Sequence, residues 1–183
     1  MLISKTVTTQ NELQQILTLQ KKYLSGTNSS EEEKEHGFVT VHHTLQKLEQ
    51  MHALAPSIIV KEGDVVIAYA LVMLTETVNL IPELQPMFQL FNQLTYKNKP
   101  INKYRYYIMG QICIIKAFRG HGIFEMLYKK HKELMQPNYN FVVTEIATRN
   151  TRSIRAHEKV GFKLLHSFKD EKEEWNVIVW EWE

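Results

Sequence analysis

Arg119-Gly120-His121-Gly122 stands where an apolar run ending at Ile115 gives way to a helical pattern that opens near His121. Two glycines at such a junction let the backbone turn tightly and come close to a bound molecule. The N–H groups at the start of the following helix lack intrahelical partners and point outward together, which makes an anion site suited to a pyrophosphate. Arg119 adds a charge-assisted contact. The competing reading of the same four residues is a plain strand-to-helix turn. Two other nucleotide sites fit worse. No Gly-Lys-Ser/Thr occurs, which excludes a P-loop. A dinucleotide-binding turn would come earlier in the chain. Here Phe124 occupies its third glycine slot, and Phe141-Val142-Val143 stands where its acidic residue would be sought.

The second segment with chemistry in it runs from Asn150 through Ser153 and His157 to Gly161-Phe162. Its spacing predicts a helix over 151–160, closed by Gly161 at the C-cap. Ile154, His157 and Val160 share one face of that helix, so a packed, satisfied histidine is one reading of His157. Glu145 lies on the preceding strand, 141–147, next to Ile146, and its facing depends on register. A solvent-facing strand carboxylate is one reading of it. Cys113, between Ile112 and Ile114, sits in an apolar strand that raises a thiol pKa, so it reads as core and not as a nucleophile. A single cysteine leaves no internal disulfide and no cysteine zinc site. His42 and His43 are adjacent and do not converge on one ion with His36, so no metal is expected.

These two segments together resemble the GNAT superfamily of N-acetyltransferases. The pyrophosphate loop of that family follows an Arg/Gln-x-x-Gly-x-Gly/Ala pattern. Arg119 and Gly122 match it, and Phe124 departs from the final small residue. The family's next helix carries Asn, a small residue three on, often Tyr seven on, and Gly-Phe eleven on. Asn150, Ser153, Gly161 and Phe162 match, and His157 takes the Tyr position. The resemblance covers 111–162. It implies acetyl-CoA as co-substrate, wedged where the strands 104–115 and 141–147 splay apart. The pantetheine arm would pair with backbone groups of Ile112, Cys113 and Ile114. The pyrophosphate would lie on the amides of Phe118, Arg119, Gly120, His121, Gly122, Ile123 and Phe124, with Phe124 turned away into the core with Leu127. Asn150 and Ser153 would complete the cofactor site, Asn150 by bonding the pantetheine arm.

The reaction that the resemblance implies is transfer of acetyl to a primary amine by direct attack, with no covalent enzyme intermediate. The ammonium must first lose a proton. Glu145, five residues before Asn150, holds the spacing of a base in relatives that acetylate protein N-termini. His157 would be the acid, with the roles reversible near neutral pH, and Tyr107 and Tyr128 are further donor candidates. Backbone amides around Ile114 would hold the oxyanion. The rival readings are a catalytically inactive CoA or acyl-CoA-binding module, and another nucleotide or anion binder built on Arg119–Gly122.

These residues need a scaffold, and the chain can supply one. Its 183 residues, 44% hydrophobic and 23% charged, read as one globular α/β domain over 1–183, with the cofactor-binding core at about 104–168. The pattern predicts a strand at 2–6, a helix opened by a Thr9/Glu12 capping box, a second helix through Leu45, Leu48 and Met51, and a hairpin of 57–61 with 65–74. A short helix at 81–94, a loop at 95–103, a strand at 104–115, a helix at 121–135, a strand at 141–147 and strands at 162–168 and 175–182 follow. Hairpins mixed with strand–helix–strand units predict a mixed sheet flanked by helices. Met87, Phe88 and Phe91 read as core packing, with an acceptor lid as the alternative. The three tryptophans of the last strand read as core or as an interface, and leave a homodimer open.

Net charge is +2, from 22 basic and 20 acidic residues, which argues against a nucleic-acid partner. No apolar run is long enough to span a membrane. The acidic run at 31–35 and the basic residues Arg149, Arg152, Arg155 and Lys159 read as solvated faces, or as an acidic and a basic end that could face two different ligands. Glu31 to His36 could border an amine. A small-molecule or peptide amine as acceptor and a cytoplasmic location complete the expectation.

Overall fold

The computed structural model describes residues 1–26, 33, 38–171 and 173–182. Nine strands and five α-helices are found among them: β1 (Leu2–Thr6), α1 (Gln10–Tyr23), α2 (Leu45–Leu54), β2 (Ile58–Glu62), β3 (Val65–Met73), α3 (Gln85–Phe91), β4 (Thr95–Tyr96), β5 (Lys99–Pro100), β6 (Tyr106–Ile114), α4 (Ile123–Met135), β7 (Phe141–Ala147), α5 (Thr151–Val160), β8 (Lys163–Lys169) and β9 (Glu174–Glu181). Seven strands form one mixed sheet in the order β1-β2-β3-β6-β7-β9-β8. Its one parallel ladder among the described strands joins β6 to β7; the others are antiparallel.

Two apolar layers hold helices on the sheet. On one face Leu13, Ile16 and Tyr23 of α1, Leu48 and Met51 of α2 and Met87, Phe88 and Phe91 of α3 bury against Tyr69, Leu71 and Val143. On the other, Ile123, Leu127 and Tyr128 of α4 pack on Ala68, Ala70, Val72 and Val142. Strand β3 is buried on both faces from Val66 to Met73, which is why it reads as an unbroken apolar run. The 81–94 segment is thus core and not a lid. It begins as a 3₁₀ turn at Pro82–Leu84, because prolines at 82 and 86 tolerate only a first helical turn. The expected loop 95–103 contains the small β4–β5 hairpin.

The capping box at α1 is modified. Thr9 accepts the Glu12 N–H at 3.2 Å, as expected, but the Glu12 carboxylate accepts from the Thr8 N–H and from the ammonium groups of Lys5 and Lys61. Burial alone would raise the pKa of Glu12. Those donors outweigh it and hold the pKa down to about 2.

The last strand is not an edge. β9 lies between β7 and β8. Trp180 and Trp182 pack with the α4 layer, and the Trp175 indole N–H donates to Asp170 at 2.9 Å. Among the described residues no helix is long and apolar enough to cross a membrane. Of the acidic stretch at 31–36, only Glu33 lies within the described residues.

Candidate active site

The β6–β7 ladder is short. Tyr106 pairs with Phe141, Tyr107 with Val142 and Ile108 with Val143, and there it stops. Beyond that point β6 stays on β3 as far as Ile114, and β7 stays on β9 as far as Ala147, so the two strands part company. Two local causes act at the fork. The Thr144 hydroxyl donates to the Met109 carbonyl at 2.8 Å, replacing a ladder bond. Gly110 is bulged out of the β3 pairing, which shifts between Leu71 and Val72, and a bulge bends its strand. A side chain at Gly110 would run into the thioether of Met73. A glycine inside an apolar strand is a bulge signal, and the sequence reading passed over it.

A cavity of about 680 Å³ opens into the fork. Ile112, Cys113, Ile114, Phe118, Arg119, Gly120, Gly122, Ile123, Phe124, Asn150 and Ser153 all line it. His121 does not: it is exposed, with Nδ1 at 3.0 Å from the Arg119 carbonyl. Helix α4 opens two residues later than the pattern predicted. Gly122 is its N-cap at φ 72°, after Gly120 at φ 83°, a left-handed pair that glycine adopts without penalty. No side chain among the described residues caps this helix, and Gly122, Ile123, Phe124 and Glu125, which open it, line the cavity. Arg119 donates through Nε to the Ile114 carbonyl at 2.9 Å and lies over the Tyr23 ring. Its Nη1 is buried with no partner among the described residues. Arg152, Arg155 and Lys159 complete a basic wall, together with the aromatic Tyr23 and Phe38. Their spacing, at 152, 155 and 159, puts them on one helix face, which is the signal in the sequence that they could share a site.

A second cavity of about 70 Å³ lies beside the first and shares Phe38, Val39, Ile112, Asn150 and Ser153 with it. Both Glu145 and His157 line it. They reach it from opposite sides of the sheet. Glu145 has the parity of Phe141 and Val143, which face α1, whereas His157 packs in the α4 layer. Glu145 Oε2 is buried without a hydrogen-bond partner among the described residues. Burial, with the nearby charge of Asp170 adding to it, pushes the Glu145 pKa up to about 7.

Over residues 13–162 the sequence matches the model of the acetyltransferase (GNAT) family. The chain belongs to that family. No curated protein is matched by the sequence. Solved structures share the fold at low identity. The ribosomal-protein-S18-alanine N-acetyltransferase of Escherichia coli has a TM-score of 0.65 at 9% identity, over 99% of this chain and 94% of that one. An N-acetyltransferase from Staphylococcus aureus Mu50 has 0.63 at 16%, over 99% and 98%. NAA60 of Arabidopsis thaliana, solved in complex with acetyl-CoA, has 0.60 at 10%, over 99% of each chain.

Within this acetyltransferase-family fold, His157 is not placed as a proton donor. Its Nδ1–H donates to the Ser153 carbonyl at 2.8 Å, and Nε2 is buried without a partner among the described residues. Burial pulls its pKa down to about 4, so near neutral pH it carries no proton to give from Nε2. Phe124 crowds it at 4.9 Å between ring centroids and packs on Tyr128, so the bulky residue turns into an aromatic cluster, with Tyr128 and His157 as its ring partners. Tyr107 and Tyr128 drop out as donors. Both are fully buried in the α4 layer and line neither cavity, and Tyr107 is bonded to His131. Cys113 is buried, with burial raising its thiol to about 12. Asn150 caps α5 by accepting the Ser153 N–H and donates to the Phe38 carbonyl at 3.4 Å. His42 is exposed and His43 buried against Gln20, so the neighbouring histidines diverge. Nor do the acidic and basic runs face separate ligands where they are described: Arg149 pairs with Glu33 at 3.1 Å.

Proposed function

We propose that this chain transfers an acetyl group from acetyl-CoA to a primary amine by direct attack, with Glu145 as the general base. The observation that carries the reading is the fork. It leads from a roomy cavity with an uncapped helix start and a basic wall to a small cavity lined by Glu145, whose Oε2 is buried without a partner among the described residues.

The residues present fit the co-substrate. The open N–H groups after Gly122 and the unpartnered Arg119 Nη1 suit a pyrophosphate. The seam side of Ile112–Ile114, released from β7, suits an extended arm with amide groups. Asn150 and Ser153 would meet that arm. The cofactor-binding core is then 104–168 of a domain spanning the chain.

In the reaction, Glu145 takes a proton from the ammonium form of the acceptor. The nitrogen lone pair attacks the thioester carbonyl carbon, and the carbonyl electrons move onto oxygen. Backbone N–H groups of the splayed strand near Ile114 would hold that oxyanion. Collapse re-forms the carbonyl and breaks the carbon–sulfur bond. The nitrogen's second proton goes to the departing thiolate, and Glu145 returns its proton to solvent. His157 contributes a rigid, uncharged wall. The acceptor is a small-molecule or peptide amine, and a cytoplasmic setting, expected of a chain with one unpaired cysteine, belongs to the same proposal.

The test starts with a thermal titration of the full chain with acetyl-CoA, alongside NAD and ATP. At about 100 times its Kd a ligand stabilises by about 2.7 kcal/mol, or roughly 5–10 °C for a chain of this size. A rise with acetyl-CoA alone, lost in Gly122→Glu, is expected. Release of the coenzyme thiol with spermidine or an alanyl tetrapeptide then scores transfer. No rise in folded protein sinks the reading. A rise without thiol release from any amine selects a binding module, the reading favoured by a His157 that has no proton to donate.

A further inference from the structure

Arg149 joins more of the site than any reaction step requires. It lies just before the Asn150 cap of α5. Its Nε donates to Glu173 at 2.6 Å, Nη1 to Glu33 at 3.1 Å and Nη2 to Ser25 at 3.3 Å, while the guanidinium lies 4.0 Å over the Phe38 ring. Two of these partners, Phe38 and Glu173, lead to separate walls of the small cavity, and Ser25, which also meets Glu33, donates its N–H to the Val39 carbonyl of the first.

The first wall is a strap, 38–43, crossing the mouth of the fork. Phe38, Val39 and Thr40 line the cavity from it. Its backbone is tied at both ends: the Val39 N–H to the Tyr23 carbonyl at 3.0 Å, and the Val41 carbonyl to the Gln111 side chain at 2.8 Å. The second wall is the β8–β9 turn. There the Glu173 N–H donates to the Asp170 carboxylate at 2.7 Å, and the other oxygen of Asp170 accepts from Trp175, which lines the cavity. Arg149 is the joint between them. A planar fork that bonds three groups while stacking on a ring is a task for arginine, and lysine does only part of it.

We propose that Arg149 is a positioning residue that locks the strap and the β8–β9 turn together as the walls of the acceptor cavity, and so sets which amines reach Glu145. The acceptor half of this statement rests on the acetyl-transfer reading; the locking half does not.

Hydrogen exchange on the full chain, read residue by residue, tests the lock without any substrate. In Arg149→Ala the amides of Val39 and Glu173 are expected to exchange at least tenfold faster, with those of Val142 and Val143 unchanged. Arg149→Lys should fall in between, and Lys130→Ala, which removes a surface cation from the Glu133 pair, should change neither. Glu33→Gln should loosen Val39 and not Glu173, which keeps the test alive if the alanine variant misfolds. Steady-state kinetics with spermidine and the alanyl tetrapeptide then read the acceptor half. KM for the amine should rise about tenfold or more in Arg149→Ala, with the Kd for acetyl-CoA within about twofold of wild type. Unchanged exchange at Val39, or equal acceleration throughout β7, overturns the lock. Parallel losses for amine and acetyl-CoA overturn the specificity role. If wild type transfers to neither amine, the acceptor role falls with the reading beneath it, while the exchange result still decides the lock.

Discussion

Replacing Glu145 by glutamine should slow the proposed reaction and stabilise the fold. A carboxyl moved from its ordinary 4.5 to about 7 has its acid form favoured about 300-fold by the folded state. At 1.36 kcal/mol per decade this comes to about 3 kcal/mol. The sign follows from proton counting. Between pH 4.5 and 7 the folded chain holds a proton that the unfolded chain has released, so stability falls as pH rises through that window. Below it, neither state carries the charge and there is no cost. Above it, the full cost of an ionised carboxylate largely removed from water is present. Glutamine has no charge to bury. Glu145→Gln is therefore expected to melt about 6–12 °C above wild type at pH 8, with the difference vanishing near pH 4. Calorimetry across pH 4–8 measures it. Thiol release with a competent amine should fall by about 10²–10⁴, the usual loss for a general base. In wild type, kcat/KM should rise about tenfold per pH unit up to about pH 7 and then level. A melting difference that is the same at pH 4 and pH 8 would refute the buried-charge argument, whatever happens to the rate.

Glu12 should show the opposite sign. Its stabilisation is present above pH 4.5 and is lost as pH falls toward 2, and Glu12→Gln should cost about 3 kcal/mol at pH 7 in a denaturant titration. Gly122→Ala meets no atom within 4 Å, so only the φ 72° backbone resists it, and a loss of about 1 kcal/mol in thermal melting is expected. Cys113→Ser should keep acetyl transfer, and the wild-type thiol, held near 12, should alkylate slowly with iodoacetamide at pH 8 when its reaction is followed by mass spectrometry.

What could be read from the sequence was local. Thr9 caps α1 and Gly161 closes α5, as their places in the pattern predict, because a cap involves residues within a few positions of one another. The segments that line the large cavity were legible for the same reason, since 112–124 and 150–153 each fold as a short unit. Long-range pairing was not. Nothing in 174–181 says that β9 inserts between β7 and β8, and nothing in 141–147 alone says which way Glu145 faces. His157 was assigned chemistry by its place in a motif. Its character comes from Phe124, Tyr128 and Phe162, which only folding brings against it. Arg149 illustrates the limit: its carboxylate partners lie at positions 33 and 173.

The short parallel ladder has a mechanical consequence. β1-β2-β3-β6 and β7-β9-β8 are each a self-contained antiparallel leaf, and the leaves are stitched together in the sheet by three residue pairs at one end. The molecule resembles a book bound along a short spine, open where the cavities lie. A long ligand laid between the leaves would act as a second binding, and its grip would be felt by both leaves at once. Occupancy should therefore toughen the whole sheet against pulling apart. A tether drawn between β3 and β9 would report this as a higher rupture force, measured far from any atom that the ligand touches.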